Sequence, residues 1–233
     1  MGLTVLAVSD VHSPRYLFNY IEALTRHVDD CNNSPLFLWA GDMVDKGNVA
    51  ALSSVVAYTR KKCSNTQIVS IFGNDEYMDL EGEFKKKYND IIWLNDSYRI
   101  FSFREARVAI YGTRGVLDRP TRWQRRNIPL IYKLYSQRLA KLKDQLKKIR
   151  DLADIVIVAM HYAPTFSVMR GEDAKAWPEM GSRRVEEVIR EAEPDIVIYG
   201  HLHNAEILDY RIGSTRLFNV SLPARRDITV IEL

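Results

Sequence analysis

The chain has 233 residues, of which 46% are hydrophobic and 27% charged, and its net charge is +3 at pH 7. This length suits one domain with a full core, or one domain with a small insertion. No apolar run approaches the roughly 20 residues that a membrane-spanning helix needs, so we expect no membrane segment. The positive charge is concentrated, because residues 114–150 hold twelve Lys or Arg and two acids, a net charge of +10 that leaves −7 for the remainder.

The amino terminus and the cysteines both favour a reducing cytoplasm. Residues 1–10 lack the basic start of a signal peptide and run straight into an apolar segment. Two cysteines, Cys31 and Cys63, are too few for a disulfide framework, so we expect two structural thiols. A bridge between them is the minor alternative.

Three apolar runs in the first part of the chain end in polar residues, and a helical pattern follows each run. The runs are typical of strands buried on both faces and cover residues 3–8, 36–40 and 68–72. The predicted helices cover residues 14–30, 49–62 and 76–88. On the first helix we expect His27 to have a surface or structural role.

The polar residues after these runs are of metal-ligand types. Asp10 and His12 are spaced so that both side chains can project to one side if strand geometry persists. Asp42 and Asn74 each follow a glycine. At the carboxyl end of a strand in an open α/β sheet, the carboxylate of Asp42 is poorly solvated unless a cation pairs with it. A cap for the following helix is the alternative role for Asp42.

The middle of the chain predicts a hairpin and then a long basic helix. Residues 98–103 alternate apolar and polar, and residues 107–111 follow a short connection, which indicates a hairpin in a second, half-exposed sheet. Apolar residues then recur at steps of three and four and predict a helix of about five turns. The seam of this helix consists of Tyr132, Tyr135, Leu139, Leu142, Leu146 and Ile149.

Two interpretations of the basic segment stay open. Trp123 is surrounded by five arginines, namely Arg114, Arg119, Arg122, Arg125 and Arg126. In the first interpretation the segment covers the site and attracts nucleotides or nucleic acid, with Trp123 available for base stacking. In the second, the charges form an ordinary solvated face and the seam packs on the domain or on a second copy of the chain.

Two more buried strands in the last part of the chain deliver histidines. These strands cover residues 155–160 and 195–199. The first ends at His161 and the second leads into His201 and His203. A loop of about twenty residues follows His161, and Ser182 is the expected cap of a helix that runs to residue 192. The tail predicts antiparallel strands that close a sheet, over residues 207–212, 217–220 and 228–233.

Five strand ends therefore supply seven candidate metal ligands, and four of the five histidines are among them. The seven are Asp10, His12, Asp42, Asn74, His161, His201 and His203. Histidine with Asp and Asn suits divalent Mn, Fe, Co, Ni or Zn, and the absence of cysteine argues against a closed structural zinc site. Seven ligands suit two ions that share a carboxylate. Two ions about 3.5–4 Å apart can activate a water and bind both free oxygens of a phosphate.

In these motifs the sequence resembles the calcineurin-like metallophosphoesterase superfamily over its whole length. The ordered signature is present as Asp10-Val11-His12, Gly41-Asp42-Met43-Val44-Asp45, Gly73-Asn74-Asp75-Glu76, His161 and Gly200-His201-Leu202-His203. The resemblance implies an α/β fold, a four-layer α/β/β/α sandwich with two mixed β-sheets. Residues 1–233 would then form one metallophosphoesterase domain, with a basic helical insertion at about residues 114–150.

The resemblance also implies how the seven ligands divide between two metal ions. One ion would be held by Asp10, His12, Asp42 and His203. The other would be held by Asp42, Asn74, His161 and His201, which makes Asp42 the bridge. Manganese is the first choice of metal.

Two acidic residues beside these ligands have expected roles of their own. The superfamily most often has a histidine after the metal-binding Asn74, thought to stabilise the transition state or to protonate the leaving oxygen, and here the residue is Asp75. Two nearby cations lower the pKa of a carboxyl, so Asp75 would be ionised and a poor proton donor. We therefore expect substrates with good leaving groups. Asp45 is expected to orient a ligand and not to bind metal.

These features predict a cytoplasmic, metal-dependent phosphodiesterase with Asn74, Asp75 and His161 as catalytic residues. The reaction would be in-line attack of a metal-bridging hydroxide on phosphorus. The substrate would be a small phosphodiester or a nucleotide, with nucleic acid as a further partner of residues 114–150 and a homodimer as a further state. The alternatives are a DNA-repair-type nuclease, for which the chain is short, and a non-catalytic metal-binding protein scaffold, a class whose members lose metal ligands.

Overall fold

The computed structural model describes residues 3–233, which form two β-sheets with helices, so residues 1 and 2 of the predicted domain lie outside the described residues. The eleven strands are β1 (Thr4–Val8), β2 (Leu36–Trp39), β3 (Gln67–Ile71), β4 (Ile92–Leu94), β5 (Ser97–Ser102), β6 (Arg107–Thr113), β7 (Ile155–Met160), β8 (Ile196–Tyr199), β9 (Asp209–Ile212), β10 (Thr215–Asn219) and β11 (Thr229–Glu232). The eight α-helices are α1 (Leu17–Arg26), α2 (Val28–Asn33), α3 (Leu52–Lys62), α4 (Glu81–Lys87), α5 (Arg122–Asn127), α6 (Ile131–Arg150), α7 (Arg183–Ala192) and α8 (Leu222–Arg225). None of these helices is long and apolar enough to cross a membrane.

Both sheets have a parallel centre, with an antiparallel strand at one edge of the first sheet and at both edges of the second. The first sheet has the order β11-β1-β2-β3-β4, in which β1 to β4 are parallel and β11 is antiparallel. The second has the order β5-β6-β7-β8-β10-β9, in which only the edge strands β5 and β9 run antiparallel to their neighbours. Two mixed sheets in an α/β fold confirm the predicted fold class.

The apolar side chains of the central strands are buried on both faces, which explains their continuous apolar runs. On β1, Val5 and Ala7 belong to the cluster between the two sheets. Leu6 and Val8 alternate with them and pack beneath the helices that cover the first sheet. A third cluster lies between the second sheet and helices α6 and α7. Because each fully buried Val or Leu contributes about 1.5–3 kcal/mol, this alternation stabilises the order helix, sheet, sheet, helix.

The five predicted buried runs form β1, β2, β3, β7 and β8, and the predicted hairpin forms β5 and β6. The first predicted helix, at residues 14–30, is not continuous in the structure. It divides into α1 and α2 at His27, whose backbone leaves the helical region (φ −109°, ψ 27°). The His27 ring lies 2.7 Å from a carboxylate oxygen of Asp30 and 3.1 Å from one of Asp227. His27 is therefore structural, as expected.

The tail strands join different sheets, so the prediction that they close one sheet is wrong. β9 and β10 are antiparallel to each other in the second sheet, where β10 also pairs parallel to β8. β11 instead pairs antiparallel with β1 at the edge of the first sheet. Strand pairing between distant segments decides this division, and the alternation of apolar residues does not encode it.

The seam of the basic helix packs on its own domain. Tyr135, Leu142 and Ile149 of α6 are buried in the cluster that covers the second sheet. Tyr132, which we predicted at the start of the seam, is instead 60% exposed, and Ile131 is buried beside it. The second interpretation of the basic segment, in which the seam packs on the domain, therefore describes this helix.

The structure corrects the prediction of two free thiols, because Cys31 and Cys63 form a disulfide. Cys31 lies on α2 and Cys63 follows the end of α3, and the packing of these helices brings the two Cα atoms to 4.8 Å. Both residues are 1% exposed. The prediction of a reducing compartment depended partly on these thiols being free. The cytoplasmic location therefore stays a prediction.

Ser182 precedes α7 as predicted, but its side chain does not cap the helix. Its hydroxyl donates to Oδ1 of Asp118 at 2.6 Å. The other oxygen of Asp118 accepts from the backbone N–H of Arg183 at 3.2 Å. The acceptor at this helix start is therefore an acid from the insertion, because the fold places Asp118 against residues 182–183.

Candidate metal centre

All seven predicted ligands lie where strands of the two sheets end and come together in one cluster. The backbone is left-handed at four of them, with φ of 59° at Asp10, 42° at His12, 52° at Asp42 and 68° at His201. Such a conformation costs of order 1–3 kcal/mol for a residue other than glycine and is common at functional sites. Strand geometry therefore does not persist through Asp10 and His12, and hydrogen bonds to the neighbouring strand end hold them. The N–H of Asp10 donates to the carbonyl of Gly41 at 3.0 Å, and that of His12 donates to the carbonyl of Asp42 at 2.9 Å.

Two glycines allow the carboxylates to approach the backbone of adjacent strand ends. A Cβ atom at Gly73 would overlap Oδ1 of Asp42. A Cβ atom at Gly200 would collide with Oδ2 of Asp10. Any side chain at these two positions would displace a predicted metal ligand, which explains why glycine precedes Asn74 and His201.

The first group of donors consists of Asp10, His12 and His203. Nε2 of His203 lies 3.0 Å from Oδ1 of Asp10, and Nε2 of His12 lies 3.7 Å from the same oxygen. The two Nε2 atoms are 3.4 Å apart. Asp10 and His12 are buried, and one donor atom from each of the three residues lies within 4.8 Å of the others. Two imidazole nitrogens and a carboxylate that face one another at these distances fit a divalent cation.

The second group consists of Asp42, Asn74, His161 and His201. Nε2 of His161 lies 3.3 Å from Oδ2 of Asp42 and 3.1 Å from Oδ1 of Asn74. His201 joins Asp42 and His161 in a set of donor atoms within 4.8 Å of one another. Nδ1 of His161 lies 2.9 Å from the carbonyl oxygen of Ala40, so donation of an N–H there leaves Nε2 free to face the site.

Asp42 connects the two groups. Its Oδ2 lies 3.3 Å from Nε2 of His161 and 3.8 Å from Nε2 of His12. Its Oδ1 accepts the backbone N–H of Asp75 at 2.7 Å, which fixes the carboxylate between the two groups. Asp42 is 1% exposed and is not the cap of a following helix, since the next helical turn begins at Val49. The donor set therefore fits two cations that share this carboxylate.

The carboxylates hold protons on two of the histidines in the absence of metal. Burial lowers the pKa of His12, but the hydrogen bonds to Asp10 and Asp75 and the negative charge of Asp42 together outweigh it and raise the pKa to about 11. Burial likewise opposes a charge on His161, but the charge of Asp42 and the hydrogen bond to it, with the charge of Asp10, together raise the pKa of His161 to about 9. Burial and the positive charge of His161 lower the pKa of His201 to about 4. A cation that enters the site replaces these protons.

Asp75 lies beside His12, and its surroundings favour the ionised form. Burial alone would raise the pKa of Asp75, but the hydrogen bond with His12 and the backbone N–H of Lys46 hold it below its usual value. Oδ2 of Asp75 lies 3.2 Å from Nδ1 of His12. The direction of this pKa shift agrees with the expectation of a poor proton donor. Asp45 also faces His12, with 3.9 Å between its Oδ1 and Nδ1, and accepts a hydrogen bond from Arg15 at 2.9 Å.

Glu76 also belongs to the site, although no sequence pattern predicted a role for it there. It is 1% exposed, and its carboxylate accepts four backbone N–H groups. The donors and distances are Asp42 (2.8 Å), Met43 (2.7 Å), Val44 (3.2 Å) and Gly73 (2.7 Å). Burial and the charge of Asp42 raise the pKa of Glu76 to about 7. Its sequence position suggested only the first residue of a helix, and that helix starts later, at α4, after a 3-10 turn (Met78–Leu80).

A two-sheet sandwich with mixed His, Asp and Asn donors at converging strand ends defines a metallophosphoesterase-type protein. The sequence agrees with the fold, since the model of the calcineurin-like phosphoesterase family matches residues 3–205. The chain belongs to this family. None of the curated protein sequences is significantly similar to it.

Solved structures with the same fold have low sequence identity to the chain. Phosphopantetheinyl hydrolase (PptH) from Mycobacterium tuberculosis has a TM-score of 0.66 at 14% identity, over 97% of this chain and 91% of that one. GAP50, the anchor in the inner membrane complex of Plasmodium, has a TM-score of 0.64 at 15% identity, over 95% and 72%. A putative 5'-nucleotidase from Staphylococcus aureus has a TM-score of 0.60 at 17% identity, over 99% and 50%. At these identities the similarity establishes the fold.

Proposed function

We propose that the protein is a two-metal phosphoesterase that hydrolyses phosphodiesters in preference to phosphomonoesters. The observation that carries the proposal is the position of Asp42 between two groups of donors, 3.3 Å from His161 on one side and 3.8 Å from His12 on the other. Shared carboxylates of this kind hold pairs of ions in phosphoesterases. The family of the chain supports the same reaction class.

Asp10, His12, Asp42 and His203 would hold one ion, and Asp42, Asn74, His161 and His201 would hold the other. Manganese is our first choice, because imidazole and carboxylate donors together suit it. Bound metal would supply an activated water for in-line attack and would neutralise charge on the phosphoryl oxygens.

The preference for diesters follows from the residues around the donors. Asp75 lies next to Asn74, and its lowered pKa leaves no proton to give to a leaving oxygen near neutral pH. A dianionic monoester would also meet the repulsion of Asp75 and Asp45, which both face His12. A monoanionic diester with a good leaving group meets less repulsion and needs no acid.

The test is hydrolysis of bis(p-nitrophenyl) phosphate beside p-nitrophenyl phosphate. The protein is stripped of metal and reconstituted with Mn, Ni or Zn, and His161→Ala serves as the control because it removes one donor from the second group. We expect turnover of the diester that requires metal, exceeds turnover of the monoester and is lost in the variant. Metal binding without turnover of either compound would contradict the proposal.

A further inference from the structure

The connection between α5 and α6 exposes large apolar side chains. Trp123 is 59% exposed, Leu130 is 72% exposed and Tyr132 is 60% exposed. Seven large apolar residues are exposed in the part of the chain that the structure describes, and these three lie within ten consecutive positions. Scattered apolar residues are normal on a protein surface, but a group of them marks an interaction site. We call residues 122–133 the insertion tip.

The short length of α5 keeps these side chains together. The helix has six residues, which is about 9 Å at roughly 1.5 Å per residue, so Trp123 lies close to the residues after its end. Trp123 and Pro129 line the same cavity, of about 790 Å³. Leu130 follows with a left-handed backbone (φ 57°), a conformation that is uncommon for a bulky residue and is found at functional sites. The fold therefore presents this leucine to solvent at a position of backbone strain.

Cations without an acidic partner accompany the apolar side chains. No acidic residue occurs between positions 119 and 143. Of the basic residues in this stretch, Arg119 and Arg125 share Glu179, at 3.0 Å and 3.9 Å. Three others are exposed and form no ion pair within residues 3–233, namely Arg122, Arg126 and Lys133. The tip therefore combines apolar side chains with unpaired positive charge.

An anionic membrane surface is the partner that uses all of these groups. Trp and Tyr rings are enriched at the level of the lipid headgroups, and an aliphatic side chain such as Leu130 enters the boundary of the acyl chains. Arginine and lysine are attracted to the anionic headgroups. None of the helices needs to cross the bilayer, because this kind of docking buries only one face of a segment at the interface.

Two other partners fit the tip less well. Single-stranded nucleic acid would use the rings and the cations, but its bases and phosphates leave Leu130 and Pro129 without a role. A second copy of the chain in a symmetric contact would bring the cations of two tips together, and like charges repel. Charge complementarity therefore favours a membrane over a second copy, and the aliphatic residues favour it over nucleic acid.

We propose that the insertion tip docks on the surface of an anionic phospholipid membrane. The three exposed apolar side chains enter the interface, and the three unpaired cations contact the headgroups. Asn74 and His201 line the same cavity as Trp123, so docking places the candidate metal centre beside the membrane. Docking itself involves neither metal nor turnover, so it stands apart from the proposed function.

The test is sedimentation of the full chain with lipid vesicles. One set consists of phosphatidylcholine and the other of phosphatidylcholine with phosphatidylglycerol, which is anionic. We expect binding to the anionic vesicles alone, and added salt should weaken it because salt screens the cations. Leu130→Ala should weaken binding about tenfold, as the burial of a leucine side chain predicts. Arg126→Gln should weaken it about fivefold, which corresponds to one cation at an anionic surface.

Two matched variants separate docking from general effects of a surface change. Phe18→Ala removes an apolar side chain that is 81% exposed on α1, outside the tip, and should leave binding unchanged. Arg104→Gln removes the same charge as Arg126→Gln from an exposed position elsewhere and should also leave it unchanged. Because Leu130 is 72% exposed, its replacement should not unfold the protein, and circular dichroism checks this.

Each other outcome overturns the proposal. Equal binding to both sets of vesicles, no binding to either, or equal losses in Phe18→Ala and Leu130→Ala would remove the membrane surface. Binding of single-stranded DNA that is lost in Trp123→Ala and kept in Leu130→Ala would, in the absence of vesicle binding, assign the tip to nucleic acid. A dimer in light scattering that Leu130→Ala converts to a monomer would assign the tip to a second copy. None of these results changes the proposed function.

Discussion

Glu76 ties together the two strand ends that supply Asp42 and Asn74. Its carboxylate accepts backbone N–H groups from both segments, on Asp42 and on Gly73. It contributes no metal-donor atom in our assignment, so it acts by positioning Asp42. Truncation of this side chain should therefore affect metal affinity through the backbone of the site.

Glu76→Ala is expected to destabilise the fold and to weaken metal binding. The substitution leaves four buried N–H groups without an acceptor, and one such group costs about 1–3 kcal/mol. Urea unfolding should therefore show a loss of at least about 3 kcal/mol, and titration with Mn should show a higher Kd. Glu76→Gln keeps one acceptor oxygen and should lose less of both.

The control for this prediction is Glu83→Ala, because Glu83 is an exposed acid on α4. It should change neither unfolding nor metal affinity. If Glu76→Ala were as stable as the parent protein, the four hydrogen bonds would not be what positions Asp42.

Asp75→His should raise the hydrolysis of diesters with poor leaving groups. An imidazole at this position could donate a proton to the leaving oxygen, and general acids typically contribute 10²–10⁴-fold. We expect at least a roughly tenfold gain on diphenyl phosphate and little change on bis(p-nitrophenyl) phosphate, whose leaving group needs no proton. Asp75→Asn removes the charge without adding an acid, so it separates the two effects. A gain in Asp75→Asn equal to that in Asp75→His would attribute the effect to charge.

At the scale of elements, the long apolar patterns are the ones that predict structure well. The run at residues 155–160 coincides with β7, because a strand buried on both faces needs no polar residue to interrupt it. The seam that ends at Ile149 likewise predicts a long helix, and α6 ends one residue later, at Arg150. The three-residue β4 and the six-residue α5 were not predicted, because segments this short carry too little periodicity.

The convergence of the candidate metal donors is also predictable, because parallel strands present their carboxyl ends at one edge. The remaining features depend on which distant segments meet. The disulfide joins residues 32 positions apart, and Glu76 finds its four donors on two different strand ends. Neither arrangement leaves a periodic trace in the sequence, so only the folded structure reveals them.

The charges of the insertion are largely paired within the molecule. Arg138 lies 2.9 Å from Asp96, Lys143 lies 2.6 Å from Glu191 and Arg150 lies 3.0 Å from Asp195. Each of these acids lies outside residues 114–150. Part of the local charge is therefore neutralised by the rest of the domain, which weakens the electrostatic attraction of residues 114–150 for a long polyanion.

Leu142→Ala should destabilise the protein without changing its oligomeric state. Leu142 is 2% exposed in the cluster between α6 and the second sheet, and truncation of a buried leucine costs about 2–5 kcal/mol. Leu152→Ala makes the same truncation at a residue that is 43% exposed and should cost far less. Urea unfolding measures the loss, and light scattering measures the mass. A change in mass with little loss of stability would instead place the seam at an interface between two copies.

At the scale of the whole molecule, each group of donors draws on both sheets. Asp10 and His12 follow a strand of the first sheet, and His203 follows a strand of the second. In the other group, Asp42 and Asn74 come from the first sheet and are joined by histidines from the second. Metal binding would therefore connect the two halves of the sandwich, in addition to the apolar cluster between them.

Mn should raise the temperature of unfolding through this connection, and Asp42 should matter most because both groups share it. A ligand at 100 times its Kd adds about 2.7 kcal/mol per site, which corresponds to roughly 5–10 °C for a chain of this size. Asp42→Asn should lose most of the shift, and His203→Ala should lose only the part that belongs to the first group. Scanning calorimetry with Mn and with EDTA measures the shift for each variant. If His203→Ala and Asp42→Asn lost the same amount, the carboxylate of Asp42 would not be shared and the two groups would have to be treated as independent sites.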